Sequence, residues 1–74
     1  MNTIHKLIAD VLKLPEASVT ASTSMENTPE WDSLKHIELI VAIEQQLGIE
    51  LTGDEIADMT SVKAIETILH RHRL

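Results

Sequence analysis

Cysteine, phenylalanine and tyrosine are absent from this 74-residue chain, and one tryptophan is its entire aromatic content. Without cysteine the chain can form neither a disulfide framework nor a thiolate zinc site, so a domain of this size has to fold on apolar packing alone. Its apolar residues, 43% of the total, are almost all Ile, Leu, Val, Ala and Met. The sequence therefore predicts an aliphatic core, and it suits a reducing compartment such as the cytoplasm.

Positive charge is also scarce, because six Lys and Arg face twelve Asp and Glu, which gives a formal net charge of −6. That sign repels nucleic acid phosphates and anionic lipid headgroups, so a nucleic acid partner is not expected. The acids are concentrated between residues 16 and 66. This acidic middle either presents a negative face to a basic partner or simply keeps a helical surface solvated.

Long apolar runs are lacking as well. The first residues do not form the apolar stretch of a signal peptide, and nowhere do about 18 apolar residues follow one another as a membrane-spanning helix requires. We expect a soluble, cytoplasmic protein that does not insert into membranes and acts as a monomer. A usual domain has roughly 100 to 200 residues, so this chain of 74 is predicted to be one domain over 1–74.

Hydrophobic spacing predicts two long helices joined by a loop. Apolar residues at steps of three, one, three and one predict a helix over about 3–14, which Pro15 ends because the residue before a proline is disfavoured in the helical region. From Pro15 to Asp32 the periodicity fails, which indicates a long loop of a kind that is usually functional. A second helix is expected over 33–47, ended by Gly48. Apolar residues cover more than half of its circumference, so we expect it to be the central and most buried helix.

Two shorter helices follow. Thr52 and Glu55 have the spacing of a capping box, which predicts a short helix over about 53–58. Thr60 or Ser61 is the candidate cap of a last helix over about 61–70, whose apolar residues form one stripe. The predicted fold is an all-α four-helix bundle with a short third helix and a long loop between helices one and two.

The sharpest local feature is the segment Trp31-Asp32-Ser33-Leu34, at the junction of the long loop and the second helix. Asp and Ser at a helix start are common caps that contribute about 1 kcal/mol, and a tryptophan before them can simply plug the end of the bundle. Alternatively, Ser33 is the site of a covalent phosphate, since free backbone N–H groups and the helix dipole favour an anion there. The residues alone leave both interpretations open.

Asp32-Ser33-Leu34 and the helix after it resemble the Asp-Ser-Leu segment of acyl carrier proteins, in which the serine bears 4′-phosphopantetheine. The resemblance covers essentially the whole chain, because a long loop precedes the tripeptide and Gly48-Ile49-Glu50-Leu51, a short acidic helix and Thr60-Ser61-Val62 follow. It implies an acyl-carrier-like fold and an arm on Ser33, attached by a phosphopantetheinyl transferase from coenzyme A. The thiol of the arm would hold acyl or aminoacyl intermediates as thioesters for partner enzymes.

The same resemblance implies roles for residues near the serine. Asp32 matches an acidic residue that helps to engage the transferase and its metal ion, with a helix cap as the alternative. Leu34 matches a leucine that touches partner enzymes, with a core position as the alternative. Glu38 and Glu44 match positions associated with basic patches of partners, where opposite charge raises the encounter rate. Glu38 lies on the polar strip of the helix, whereas Glu44 falls among apolar residues and is a candidate for a structural hydrogen bond.

The sequence also departs from the carriers of primary fatty acid synthesis, which resemble one another in a run of acids along this helix. Here Lys35 follows the Ser-Leu pair, and Gln45 and Gln46 are neutral. The smaller number of acidic residues on this helix implies a specialised stand-alone carrier, of lipid or secondary metabolite biosynthesis. It would have its own partners, with Lys35 in the recognition surface. Trp31 is a candidate for contact with the arm or with a partner, with plugging of the bundle end as the alternative.

Two other functions stay open. One is an aminoacyl or peptidyl carrier of a nonribosomal-type pathway, and the other is an unmodified helical interaction module in which Ser33 is only a cap. No enzyme is expected, because the sequence offers no cluster of acid, base and nucleophile, and no metal site is expected, because the four histidines lack ligand-like spacing. The expected partners are the transferase, an acyl- or aminoacyl-loading ligase and acyl-transferring enzymes.

Overall fold

A computed structural model of the chain describes residues 2–72; of the domain predicted over 1–74, residues 1, 73 and 74 lie outside the described part. Its helices are α1 (Asn2–Leu12), α2 (Ser33–Leu47), α3 (Gly53–Asp58) and α4 (Val62–Arg71). A 3₁₀ turn at Glu16–Ser18 lies in the loop between α1 and α2. Residues 2–72 contain no β-strand, so the predicted all-α bundle with a short third helix is confirmed.

Helix α1 ends at Leu12, earlier than the predicted end near residue 14. Lys13 adopts a left-handed backbone conformation with a φ of 59°, and the N–H of Leu14 donates to the carbonyl of Ala9 at 2.9 Å. A left-handed residue together with such a bond is a common helix ending. Pro15 therefore follows the end of the helix and does not cause it, because the chain has already turned at Lys13.

Helix α2 ends with Gly48 in the left-handed conformation, at a φ of 67°. Glycine adopts this conformation without the steric cost that a Cβ atom would bring. Beyond it, the Glu44 carboxylate accepts a hydrogen bond from the N–H of Leu51 at 2.9 Å. Glu44 thus fixes the connection between α2 and α3, which is the structural role that its place among apolar residues suggests.

Helix α3 is short and has no buried residue. Its first turn carries the predicted capping box, in which Thr52 Oγ1 accepts from the N–H of Glu55 at 3.1 Å and Glu55 Oε1 accepts from the N–H of Thr52 at 2.9 Å. Two histidines of neighbouring segments contact α3: His72 Nε2 lies 3.0 Å from Glu55 Oε2, and His36 Nε2 lies 2.9 Å from the carbonyl of Ile56. Polar contacts therefore contribute much of what holds α3 in place.

The long loop between α1 and α2 is tied to the start of α4 by main-chain hydrogen bonds. The N–H of Met25 donates to the carbonyl of Thr60, and the N–H of Val62 donates to the carbonyl of Thr23, both at 2.9 Å. These bonds form an isolated antiparallel bridge. Val19 is buried and Met25 packs against the core. A segment without hydrophobic periodicity is thereby held against the bundle.

The core is aliphatic apart from Trp31, and helix α2 packs into it with only one face. The buried side chains of α2 are His36, Leu39, Ile40 and Ile43. Three apolar side chains on another face of α2 are exposed, and we call them the apolar stripe: Leu34 (67% exposed), Ile37 (54%) and Val41 (45%). The expectation that α2 is the most buried helix is therefore wrong, because the other helices of so short a chain cover only one side of it and α4 buries four of its ten residues against four of fifteen in α2.

Within residues 2–72 we find no helix with both the length and the apolar character needed to cross a membrane.

The two faces of α2 can be compared by one substitution made on each. Ile37→Ala is expected to lower the free energy of unfolding by less than about 1 kcal/mol, because half of the side chain already lies in water. Ile43→Ala, at a fully buried position of the same helix, is expected to cost about 2–5 kcal/mol. Urea denaturation measures both, and the gain in helix propensity from isoleucine to alanine is the same in the two variants. Equal losses would contradict the exposure of the stripe.

Glu55 makes the stability of α3 dependent on pH. The hydrogen bond from the N–H of Thr52 lowers the pKa of the Glu55 carboxyl below its ordinary value of 4.5, and the contact with His72 adds to this lowering, while partial loss of solvation opposes it. A carboxyl whose pKa is lowered by folding stabilises the folded state above its unfolded-state pKa. That stabilisation is lost as the pH falls through the lower folded-state pKa.

Glu55→Gln is expected to make the protein less stable at pH 7 and to have a smaller effect at about pH 3, because the stabilisation by the carboxylate is lost as the pH falls through its lowered folded-state pKa. Glutamine can still accept the bond from Thr52, but without the strength that a charged acceptor gives. Urea midpoints at the two pH values measure the difference. Glu50→Gln, at an exposed acid between α2 and α3, is the control. A Glu55→Gln midpoint displaced equally at both pH values would contradict this role of the charge.

Candidate functional site

Ser33 is the first residue of α2, and its side chain is exposed. Asp32 precedes it with an extended backbone, and its Oδ1 accepts a hydrogen bond from the N–H of Lys35 at 2.9 Å. The first regular helix bond runs from the N–H of His36 to the carbonyl of Asp32 at 2.8 Å. Asp32 is therefore the N-cap of α2, and the hydroxyl of Ser33 stands at the positive end of the helix dipole.

The surroundings of Ser33 fit a covalently attached phosphodiester. The first N–H groups of a helix have no partner within it, and Asp32 engages only that of Lys35. The N–H groups of Ser33 and Leu34 precede that of Lys35 in the first turn. Unpaired N–H groups and the helix dipole both favour an anion at this position. An exposed hydroxyl is accessible to an enzyme that transfers a group to it.

Leu34 lies on the surface, 67% exposed, so the alternative of a core position for it is wrong. It directly follows Ser33 and begins the apolar stripe, which continues along α2 with Ile37 and Val41. Three aliphatic side chains thus stand in water beside the exposed hydroxyl. The structure places them where a protein that approaches Ser33 would meet them.

Lys35 and Glu38 form an ion pair on the same helix. The Nζ of Lys35 lies 3.3 Å from Oε1 of Glu38, and both side chains are partly exposed. Because the two charges are opposite and adjacent, the surface that they share is close to neutral. Glu44 adds little negative charge to this face, since its carboxylate turns toward the N–H of Leu51. The first turns of α2 therefore present mainly apolar surface, with Asp32 as the nearest unpaired acid.

The position of Trp31 corrects the expectation that this residue contacts the arm or a partner. Its side chain is only 1% exposed, so it lies in the core and not on the surface, where contact with a partner or an attached arm was expected. The indole plugs the core beneath the start of α2, because a large apolar ring gains more from burial than from exposure. Its polar group is satisfied there, since Nε1–H donates to Nδ1 of His36 at 3.1 Å.

His36 is the residue of this site that no sequence pattern indicated. It is 8% exposed, and both of its ring nitrogens have partners: Trp31 Nε1 at 3.1 Å and the carbonyl of Ile56 at 2.9 Å. An indole N–H can only donate, so Nδ1 of His36 accepts, and Nε2 carries the proton that it donates to Ile56. The only signal in the sequence is a histidine five residues after a tryptophan. Its second partner, the carbonyl of Ile56, lies on another helix, twenty residues along the chain.

The remaining histidines with described contacts pair with carboxylates. His5 Nε2 lies 2.8 Å from Glu66 Oε2, between α1 and α4, and His72 contacts Glu55. In the part of the chain that the structure describes, no group of three or more His, Asp or Glu side chains is arranged to hold a metal ion. These histidines join helices to one another.

Known proteins are similar to this sequence over almost its whole length. A family model described as a phosphopantetheine attachment site matches residues 2–69. An acyl carrier protein from Buchnera aphidicola subsp. Baizongia pistaciae (strain Bp) is 36% identical over 69 residues, which cover 93% of this chain and 88% of that protein. The matched region runs from α1 into α4 and includes the exposed serine that begins α2. The chain belongs to the acyl carrier protein family, whose members are carriers of covalent 4′-phosphopantetheine and not enzymes.

Proposed function

We propose that Ser33 bears the 4′-phosphopantetheine arm of this carrier and that the chain acts as one carrier domain, 1–74. The observation that carries the proposal is the exposed hydroxyl of Ser33 at the capped N-terminus of α2. Both the dipole and the free N–H groups of α2 favour the phosphate that attachment would place there. The segment Asp32-Ser33-Leu34 is also the one that resembles the attachment segment of the family.

The attachment chemistry asks little of this chain. The phosphopantetheinyl transferase supplies the base, the metal ion and the coenzyme A donor. A bond forms between Ser33 Oγ and the phosphorus that carries pantetheine, the bond from that phosphorus to adenosine 3′,5′-bisphosphate breaks, and the hydroxyl proton passes to the base of the transferase. The thiol of the attached arm then holds the cargo as a thioester. Ser33 therefore needs only to be accessible, and its own neighbours need not activate it.

Asp32 combines two roles in this proposal. Its Oδ1 caps α2 through the N–H of Lys35, and the carboxylate as a whole is exposed beside Ser33. One oxygen can accept the backbone bond while the other faces an approaching enzyme. We assign to this second oxygen the contact with the transferase and its metal ion that the resemblance implies.

The apolar stripe and Glu38 form the proposed recognition surface for acyl-handling enzymes. Leu34 begins the stripe next to the arm, and the ion pair of Glu38 with Lys35 borders it. Apolar contact supplies affinity, while charges at the border mainly set orientation and encounter rate. An acyl- or aminoacyl-loading ligase and acyl-transferring enzymes are the proposed users of this surface.

The near-neutral character of α2 supports a specialised carrier. Lys35 cancels the charge of Glu38, Glu44 is turned to the main chain, and Gln45 and Gln46 carry none. A surface with so little charge suits partners that read shape and apolar contact more than a negative field. We propose a monomer of the cytoplasm with its own set of partners, whose cargo is an acyl or aminoacyl group.

Incubation with a promiscuous phosphopantetheinyl transferase and coenzyme A tests the attachment site. Intact mass spectrometry is expected to show one phosphopantetheine added to the wild type and none added to Ser33→Ala, because the acceptor hydroxyl is missing. Ser22→Ala, at an exposed serine of the long loop, is the control and should be modified fully. An unmodified wild type would favour the helical interaction module, and a modified Ser33→Ala would place the arm elsewhere.

Asp32→Asn separates the two roles of that residue. Asparagine is as good an N-cap as aspartate, so the free energy of unfolding should change little. The KM of the transferase for the carrier is expected to rise at least about fivefold, since a contact with a charged group is worth on the order of 1 kcal/mol or more. Glu30→Gln, which removes the same charge from an exposed position two residues earlier, is the matched control. Equal KM values for the two variants would show that Asp32 acts only as a helix cap and as one of several charges that attract the transferase.

A further inference from the structure

We infer that the hydrogen bond between Trp31 and His36 is a clasp that positions Ser33 for the enzyme that modifies it. The clasp consists of these two side chains, one placed two residues before Ser33 and the other three residues after it. Both are buried, at 1% and 8% exposure, directly beneath the exposed start of α2. The inference rests on the proposed attachment of the arm at Ser33. Trp31 and His36 are positioning residues, since neither is on the surface that a partner touches.

The clasp closes a short loop of chain around the site. On the tryptophan side, the N–H of Trp31 donates to the carbonyl of Thr28 at 2.9 Å. On the histidine side, the N–H of His36 donates to the carbonyl of Asp32 at 2.8 Å. The side-chain bond from Trp31 Nε1 to His36 Nδ1, at 3.1 Å, joins the two sides. The backbone that presents Ser33 is therefore fixed both from the loop and from the first turn of α2.

The imidazole of His36 has no freedom to turn without losing a partner. Its Nδ1 must be unprotonated to accept from the indole, and its Nε2–H donates to the carbonyl of Ile56 in α3. If Nδ1 is lost as an acceptor, the indole N–H is left buried without a partner, a state that folded proteins avoid. The start of α2 or the indole would then shift to find another acceptor. One ring thus connects the presentation of Ser33 with the position of α3.

Two substitutions at His36 separate its two bonds. The amide of asparagine reaches about as far as Nδ1, so His36→Asn can keep the acceptor for Trp31 and loses the donor for Ile56. The longer glutamine places its amide near Nε2, so His36→Gln can keep the donor for Ile56 and loses the acceptor for Trp31. Trp31→Phe removes the indole donor. Benzothienylalanine at position 31 removes the N–H group while it keeps the shape of the ring, which covers the case in which Trp31→Phe fails to fold.

Steady-state kinetics of a phosphopantetheinyl transferase, with the carrier as the varied substrate, tests the clasp. Trp31→Phe and His36→Gln are expected to raise the KM for the carrier about fivefold, as the loss of one hydrogen bond would, with kcat within about twofold of wild type. The KM of His36→Asn should stay near that of the wild type, because this variant keeps the acceptor for Trp31 and therefore the clasp. The double variant Trp31→Phe/His36→Gln should be no worse than either single variant, because both remove the same bond.

Amide hydrogen exchange gives a readout that does not depend on modification. Trp31→Phe and His36→Gln are expected to speed exchange about tenfold at the hydrogen-bonded N–H groups of Lys35 and His36, whereas His36→Asn should speed it in α3 instead. The control is His5→Asn, whose shorter amide does not reach the position of Nε2 and so loses the 2.8 Å contact with Glu66, far from Ser33 along the chain. It lowers stability without touching the clasp, and its KM should equal that of the wild type.

The two proposals fail in different ways. A wild type that takes up no arm overturns attachment at Ser33, and the exchange experiment then still shows whether the clasp orders the first turn of α2. A wild type that is modified, with unchanged KM for Trp31→Phe and His36→Gln, overturns the clasp alone. A KM raised equally by His5→Asn also overturns it, because general loss of stability would then account for the effect.

Discussion

Burial of one face of α2 in the aliphatic core is the constraint on which the rest of the structure depends. Leu39, Ile40 and Ile43 build the centre of the bundle from this face, and the remaining helices are too short to enclose the other. The helix that forms the core therefore also displays Ser33 and the apolar stripe. Because one rigid element has both tasks, the proposed attachment site is held by the core itself and not by a mobile loop.

Several acidic residues have structural roles that the net charge of the chain does not indicate. Asp32, Glu44 and Glu55 each accept a hydrogen bond from a backbone N–H at a helix start or in a connection between helices. Glu38 is paired with Lys35. These four acids are thus held in caps, a connection and an ion pair, so the face of α2 that carries the apolar stripe has little net charge although the chain has a net charge of −6. This distribution is why we assign recognition mainly to apolar contact.

Features that depend on neighbouring residues in the chain could be predicted from the sequence, whereas features that depend on tertiary contacts could not. The cap at Asp32, the capping box at Thr52 and Glu55 and the end of α2 at Gly48 follow from local spacing. Periodicity could not decide which apolar face of α2 is exposed, because the sequence makes both faces apolar. The burial of Trp31 and the role of His36 required the position of α3, which no local pattern encodes. The left-handed conformation of Lys13 could not be predicted either, because lysine is not one of the residue types that commonly adopt it.

The apolar stripe has a thermodynamic consequence. The free protein keeps three aliphatic side chains hydrated, and a partner that covers them returns that water to the bulk. Such association lowers the heat capacity and weakens on cooling. Because Lys35 and Glu38 already neutralise one another beside the stripe, added electrolyte has little charge there to screen. For the partners that we propose, temperature, more than ionic strength, then governs how firmly they hold this helix.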